Sequence, residues 1–443
     1  MNVTPVGLSS TSDPGDAPSG PSIAKARSTR LKGLWASSVG NAMEWFDWTC
    51  YAIFSSFLAQ TMFDRSQGLS ALLATLAIFA VGFVARPIGG VFFGRIADVK
   101  GRRFAMIATT SLMAIGSLVI GLAPTYEQVG VISSAILVVA RIGQGLAHGG
   151  ESAASYVYIS EIAPDHSRGF WSSAVYVAVS IGTLSATALG TLLTSTLTAE
   201  QMLDWGWRVP FLVGSLLGLY ACFMRRGMVE SEIFEEEQGS DTGAQTENST
   251  SNFCKGLRLV ILTGGSTITY YTWCVFASTY AITVKGISAS DAYVASLCAQ
   301  LVGLVALPVF GALSDRVGRR PMCLAFASGM FLLAFPLNWL VSSSAWTLFW
   351  AQSVALIFWA MLTSIYPALM AEQLPTRSRA MGIGLISSLS VALFGGTAPY
   401  LNTLLTNMDM QYLFTLYLMV LCLGSFIAAW QMPETRNISL AKV

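Results

Sequence analysis

Twelve apolar runs recur along this 443-residue chain, each close to the 20 or so residues that carry a helix across a bilayer. They lie near 33–60, 70–94, 104–123, 130–156, 170–195, 208–226, 256–283, 291–313, 321–342, 346–371, 380–405 and 411–431. Charged residues make up 11% of the chain, where a soluble protein carries about 25%. This pattern predicts an all-α membrane protein of twelve transmembrane helices, set in the lipid bilayer.

The placement of the few charges orients it. With the N-terminus inside, every second loop is cytoplasmic. All but five of the 25 Lys and Arg then fall in the tails and cytoplasmic loops. Arg65, Arg208 and Lys285 lie near the outside, and Arg86 and Arg141 lie within spans. The opposite orientation would break the positive-inside rule, so both termini are expected in the cytoplasm and the chain in the cell's inner (plasma) membrane. Residues 1–32 are rich in Ser, Pro and Gly and end on Lys25, Arg27, Arg30 and Lys32. They read as a disordered cytoplasmic tail, not a signal peptide, because no short apolar core with a cleavage site precedes the first span. The seven Cys are scattered, mostly within spans, and act as small apolar residues. The chain has no nucleophile motif, phosphate loop or metal-ligand spacing, so it is read as no enzyme, with no cofactor, no metal and no nucleic-acid partner.

Residues 227–255, "GMVESEIFEEEQGSDTGAQTENSTSNFCK", are polar and mostly acidic. They read as a cytoplasmic linker between a six-helix bundle over 33–226 and a second over 256–432, with a short cytoplasmic tail at 433–443. Two internal echoes support duplicated halves. "GRIADVKGRR" (94–103) is matched by "GALSDRVGRR" (311–320), and "EIAPDHSRG" (161–169) by "EQLPTRSRAMG" (372–382). Asp98 and Arg102 can bond neighbouring helix ends, while Gly94 and Gly101 permit tight turns. Arg95, Asp98, Arg102, Glu161, Arg168, Asp315, Arg319 and Glu372 are therefore expected to form a gate network that breaks when the inside opens. The plainer reading is that the arginines only enforce topology.

The paired G-x-x-x-D-x-x-G-R-R loops, the twelve spans and the linker resemble the major facilitator superfamily. "GNAMEWFDW" (40–48), "FVARPIGGVFFGRIADVKGRR" (83–103), "RIGQGLAHGGE" (141–151), "WGWRVPF" (205–211) and "PETR" (433–436) narrow the resemblance to its metabolite:H+ symporter branch, and within it to α-ketoglutarate permease and similar organic-acid carriers. That resemblance, over about 33–436, implies proton-driven uptake by alternating access around a central site.

Glu44 and Asp47 share one face of the first span, near mid-membrane. A charged side chain there costs roughly 2.5–3.5 kcal/mol on insertion scales. No Lys or Arg lies within that span, so their partners must be other helices, water or protons. Both suit a carboxylate that loads and releases a proton, with Asp47 ranked slightly above Glu44. A structural hydrogen-bonding role is the alternative. In the fourth span Arg141, Gln144, His148 and Glu151 form one polar stripe. Arg141 could pair with Asp47 or Glu44, and Glu151 could accept a proton on its way in or anchor a helix junction. His148, where the resembled family carries a small or apolar residue, could tune proton release or be hydrogen-bonded filler. Arg86 is the first candidate to grip a cargo carboxylate, and Arg208 the second. Spans 7–12 hold no acid or base well inside the membrane, so Tyr270 and Tyr271 are that half's candidates for cargo contact. The N-terminal charges are expected to face one shared wet chamber.

The expected function is proton-coupled uptake of a small organic anion, such as α-ketoglutarate or another mono-, di- or tricarboxylate, by a monomer. A zwitterion such as proline or betaine is the alternative, demoted because only about ten residues follow the last span, where that type would carry a long charged coiled coil. A non-transporting solute sensor is more remote.

Overall fold

The computed structural model describes residues 23–64, 68–231, 233–234, 249–408 and 410–440. Most of the expected tail at 1–32 and most of the linker lie outside these residues. Twelve long helical segments account for nearly all the rest. In the first half they are α1 (Ile23–Ile53), α2 (Gly68–Lys100), α3 (Arg102–Leu122), α4 (Val131–Ile162), α5 (Arg168–Thr196) and α6 (Val209–Arg226). In the second, α7 runs from Ser249–Tyr270 through a π-helical turn at Tyr271–Phe276 into Ala277–Thr283. Then come α8 (Ala289–Val317), α9 (Arg319–Leu340) and α10 (Ala345–Thr363 with Tyr366–Gln373). The last are α11 (Arg379–Ser390, a π turn at Val391–Gly395, then Ala398–Asn407) and α12 (Gln411–Trp430).

Among the described residues, 11 helical segments are long and apolar enough to cross a membrane. The exception is α1. It carries Glu44, Asp47, Ser37 and Asn41, all buried, so its composition is too polar for a lipid-facing span, yet it packs on α5 and α6 inside the first bundle. It also begins at Ile23, ten residues before the expected boundary at 33. Large apolar side chains such as Val84, Ile88, Phe92, Leu216 and Phe223 are exposed on outward faces, as hydrocarbon contact requires.

The duplication legible in the loops is present in the packing. In the first half α1 lies on α5 and α6, α2 on α4, and α3 on α4 and α6. In the second, α7 lies on α11 and α12, α8 on α10, and α9 on α10 and α12. The halves meet through α2 against α11 and, in mirror image, α8 against α5. The loops opening α3 and α9 turn on Gly101 (φ 98°) and Gly318 (φ 114°), a region that other residues enter only with strain.

Helices α2 and α4 approach closely because glycines face each other. A Cβ built at Gly149 would stand 2.8 Å from the backbone nitrogen of Gly90 and 2.9 Å from the carbonyl carbon of Arg86. Backbone cannot step aside as a side chain can. Gly149→Val is therefore expected to cost at least the ~1–3 kcal/mol of an overpacked core. The expected readout is loss of the monodisperse peak in detergent size-exclusion chromatography, with Gly143→Ala, which meets only Leu112 at 3.6 Å, as the tolerated control.

Candidate functional site

The face that carries the linker and the C-terminal tail is held by two mirror-image clasps. Glu161 accepts hydrogen bonds from Arg102 (Nη2, 3.1 Å) in its own half and from Arg379 (Nη1, 3.0 Å) in the other. Glu372 accepts from Arg319 (Nη2, 3.3 Å) in its own half and from Arg168 (Nη1, 3.0 Å) in the other. Asp98 caps the start of α11 by accepting from the amides of Ala380 (3.0 Å) and Met381 (2.9 Å). Asp315 caps α5 through the amides of Gly169 (2.8 Å) and Phe170 (2.9 Å). Each carboxylate at a helix N-terminus meets unpaired N–H groups and the positive end of the dipole. Within its own half, each aspartate also lies near an arginine four residues on, Asp98 at 3.7 Å from Arg102 and Asp315 at 2.8 Å from Arg319.

Four partners in these clasps were not singled out from the sequence. Arg379 is the second copy of Arg168 in the echo at 372–382. Glu230, just past α6, caps α3 at the amides of Arg102 (3.0 Å) and Arg103 (3.1 Å). Glu434, in "PETR", does the same for α9 at Arg319 (2.8 Å) and Arg320 (3.0 Å). The fourth is the C-terminal tail. The carbonyl of Ile438 accepts from Arg168 (3.0 Å) and that of Leu440 from Arg379 (3.1 Å). Arg95 stands outside the clasps. It is exposed on α2 and makes no ion pair with the described residues.

Glu372 is buried between two arginines, so removing its charge breaks the pair that Arg168 makes across the seam and leaves Arg319 with Asp315 and Arg168 with Asp165. Breaking a buried pair from one side costs about 3–5 kcal/mol. Glu372→Gln is therefore expected to part the halves on this face for much of the time. A cysteine placed at Ser173, which packs on Gly311 across the seam, in a chain whose seven native cysteines are replaced by alanine, should react with a thiol reagent at least ten-fold faster with Glu372→Gln than without it.

Deeper in the first half sits a second cluster. Asp47 accepts a hydrogen bond from Ser117 on one oxygen and from Gln144 Nε2 (2.8 Å) on the other. Gln144 in turn accepts from Arg141 Nη1 (2.8 Å), whose guanidinium lies 3.8 Å from Asp47. That guanidinium is walled by aromatic rings, 4.0 Å from the centre of Tyr51 and 4.4 Å from that of Trp48. The stripe on α4 thus meets the acid on α1, and of the two pairings open to Arg141 the geometry brings together Arg141 and Asp47. Glu44 faces His148 instead, with Oε1 2.5 Å from Nδ1 but out of hydrogen-bond alignment. Glu151 is clamped by Arg225 through Nη2 (2.5 Å) and Nη1 (2.8 Å), and by Thr109 (2.7 Å). Arg225 was not foreseen. It ends α6 beside Arg226 at the edge of the linker, where a basic residue reads as a topology signal.

Arg86 stands apart from this cluster. It is 4% exposed, and its Nε and Nη1 are buried without a hydrogen-bond partner. It lines a cavity of about 70 Å³ between the two halves, together with Trp45, Tyr156 and Tyr176 from the first and Tyr270, Tyr271, Trp359 and Tyr366 from the second. Tyr270 and Tyr271 sit where the π turn interrupts α7, a distortion frequent at functional sites. The expected single wet chamber is therefore replaced by two compartments. Arg86 faces the cavity. Asp47 and Arg141 lie behind Trp48, whose ring centre is 4.4 Å from the Arg141 guanidinium and 5.6 Å from that of Arg86. Neither Arg141 nor Gln144 lines the cavity. Arg208 is also remote, donating to the carbonyls of Gly121 (3.0 Å) and Ala123 (2.6 Å) at the end of α3. Among the described residues, no group of three or more His, Cys, Asp or Glu could hold a metal ion.

Comparison with known proteins matches this architecture. The family model described as Major Facilitator Superfamily matches residues 38–399. The chain is 34% identical to α-ketoglutarate permease of Escherichia coli (strain K12) over 406 residues, 90% of this chain and 93% of that one. It is 31% identical to the proline/betaine transporter of the same strain over 427 residues, 92% of this chain and 84% of that one. Among solved structures it superposes on the proton:xylose symporter XylE bound to 6-bromo-6-deoxy-D-glucose with a TM-score of 0.80 at 18% identity, covering 94% of this chain and 98% of that one.

Proposed function

The chain belongs to the major facilitator superfamily and is a multi-pass membrane transporter, and from that premise we propose that it couples uptake of a small organic acid to entry of protons. The observation that carries the cargo half of this reading is Arg86. A buried guanidinium with two unpartnered nitrogens, at the wall of a cavity between two halves, is a fixed positive charge awaiting an anion. A cargo carboxylate would supply the missing acceptors. The proton half rests on Asp47. A buried carboxylate held by neutral donors on both oxygens, with a guanidinium 3.8 Å away, can take up a proton without dismantling its surroundings. Arg141 is then freed to shift against the rings around it.

The linker face is read as cytoplasmic, from the distribution of Lys and Arg. With its clasps closed, the cavity is shut off from that side. Alternation would require the clasps to part while the opposite ends of the halves come together. One chain contains the whole cavity, which supports reading the monomer as the working unit.

The test is uptake by the full chain in proteoliposomes under an imposed inward proton gradient, with a panel of organic acids. Saturable accumulation of at least one acid, abolished by an uncoupler, is the expected result. No uptake of any acid, or uptake indifferent to the gradient, overturns the proposal. The second reading is a zwitterionic cargo, favoured by the similarity to the proline/betaine transporter. Glycine betaine belongs in the panel for that reason.

A further inference from the structure

We infer that the cargo is a monocarboxylate with a flat, unsaturated body, carrying one negative charge per molecule. This rests on the transporter reading and narrows it to one class of acid.

Charge comes first. Of all the side chains that line the cavity, Arg86 alone is ionisable as a cation, and none is a carboxylate. One guanidinium neutralises one carboxylate. A second carboxylate would have to be held by hydroxyls alone, and about half of those already donate elsewhere. Thr263 donates to the carbonyl of Leu259 (2.7 Å), Ser387 to that of Ile383 (2.7 Å) and Ser152 to that of His148 (3.2 Å). Ser266 and Thr363 bond each other at 2.9 Å, and Tyr156 donates to Tyr176 at 3.4 Å. A second negative charge placed among these groups would meet neutral hydroxyls and no second cation, and so would be buried without a counter-charge. A zwitterion fails differently. Its cation would share a small cavity with Arg86, with no acid on the wall to offset the repulsion.

The rest of the wall is ring. Tyr270 stacks on Trp359 with centres 5.2 Å apart, Tyr176 meets Trp359 edge-on at 6.0 Å, and Trp45 meets Tyr270 edge-on at 6.1 Å. Rings from both halves thus present alternating faces and edges, the arrangement in which another flat ring finds partners on every side. A cavity of about 150 Å³ accommodates benzene. At 70 Å³ this one is drawn in, so cargo must push ring side chains outward as it enters. Those rings belong to both halves, and their displacement would be felt by both.

The test is equilibrium binding of radiolabelled benzoate to the full chain in detergent, with competition by 4-hydroxybenzoate, succinate, citrate and glycine betaine. Saturable benzoate binding is expected. 4-Hydroxybenzoate should displace it at concentrations at least about ten-fold below those needed of succinate, citrate or betaine, and Arg86→Ala should weaken it at least ten-fold. Succinate, citrate or betaine competing as well as 4-hydroxybenzoate overturns the inference, as does the absence of benzoate binding. The competition series uses the unaltered chain, so it decides the matter even if Arg86→Ala does not fold. Benzoate that binds yet is not accumulated under a proton gradient sinks the transport reading while the choice of ligand class stands.

Discussion

Asp47→Asn is expected to abolish uphill accumulation of the cargo while leaving its exchange across the membrane. The side-chain amide has the shape of a carboxyl that is permanently protonated. Its oxygen can still accept from Ser117; the amide nitrogen in place of the second oxygen cannot accept from Gln144, so that bond is lost along with the charge opposite Arg141. The variant is therefore fixed in one proton-loaded form, in which the halves can still rock with cargo but no proton is carried down its gradient. A gradient of one pH unit is worth about 1.4 kcal/mol per proton, or about ten-fold accumulation. That factor should fall to about one, with counterflow of labelled cargo against unlabelled cargo retained. If the variant still concentrates cargo, the proton rides elsewhere, and the Glu44–His148 contact becomes the place to look.

Arg86→Ala should do the opposite, sparing coupling and destroying recognition. Truncating one member of a buried, hydrogen-bonded charge pair costs about 2–5 kcal/mol. The apparent KM for the transported acid should therefore rise by roughly 30-fold or more. Arg86→Lys should recover only part of the loss, because an ammonium offers a point charge where the guanidinium offers a planar fork. The Asp47 cluster lies behind Trp48 and makes no hydrogen bond to Arg86, so whatever uptake remains at high substrate should still collapse with an uncoupler. An unchanged KM in Arg86→Ala would remove the anion grip from this residue.

Much of the fold was legible in the chain itself, and the reasons are physical. Hydrocarbon demands long apolar helices, so span lengths can be counted. Duplicated loops repeat because the same clasp is built twice. The site was legible where its members share one helix. Arg141 and Gln144 are three apart on α4 and do act on one acid. What could not be read was which helix faces which. Arg225 looks like a topology signal at the edge of the linker, and only packing carries it inward to Glu151. Trp45, Tyr156 and Tyr176 look like any aromatic residues in an apolar run until the second half closes over them. The two compartments were invisible for the same reason, since Trp48, which separates them, reads as one more aromatic residue in an apolar run until Phe79, Phe83 and Arg86 of α2 and Arg141 and His148 of α4 close around it.

The mirrored clasps have a mechanical consequence. Each glutamate is gripped by one arginine that would travel with it and by one that would travel with the opposite half. When the halves separate, Glu161 keeps Arg102 and Glu372 keeps Arg319. Neither acid is stripped bare at any stage. The arginines left behind, Arg168 and Arg379, emerge at a widening mouth where water can reach them. On the alternating reading proposed above, parting would break the bond each glutamate makes across the seam, together with the Asp98 and Asp315 caps, and keep the bond each glutamate makes within its own half.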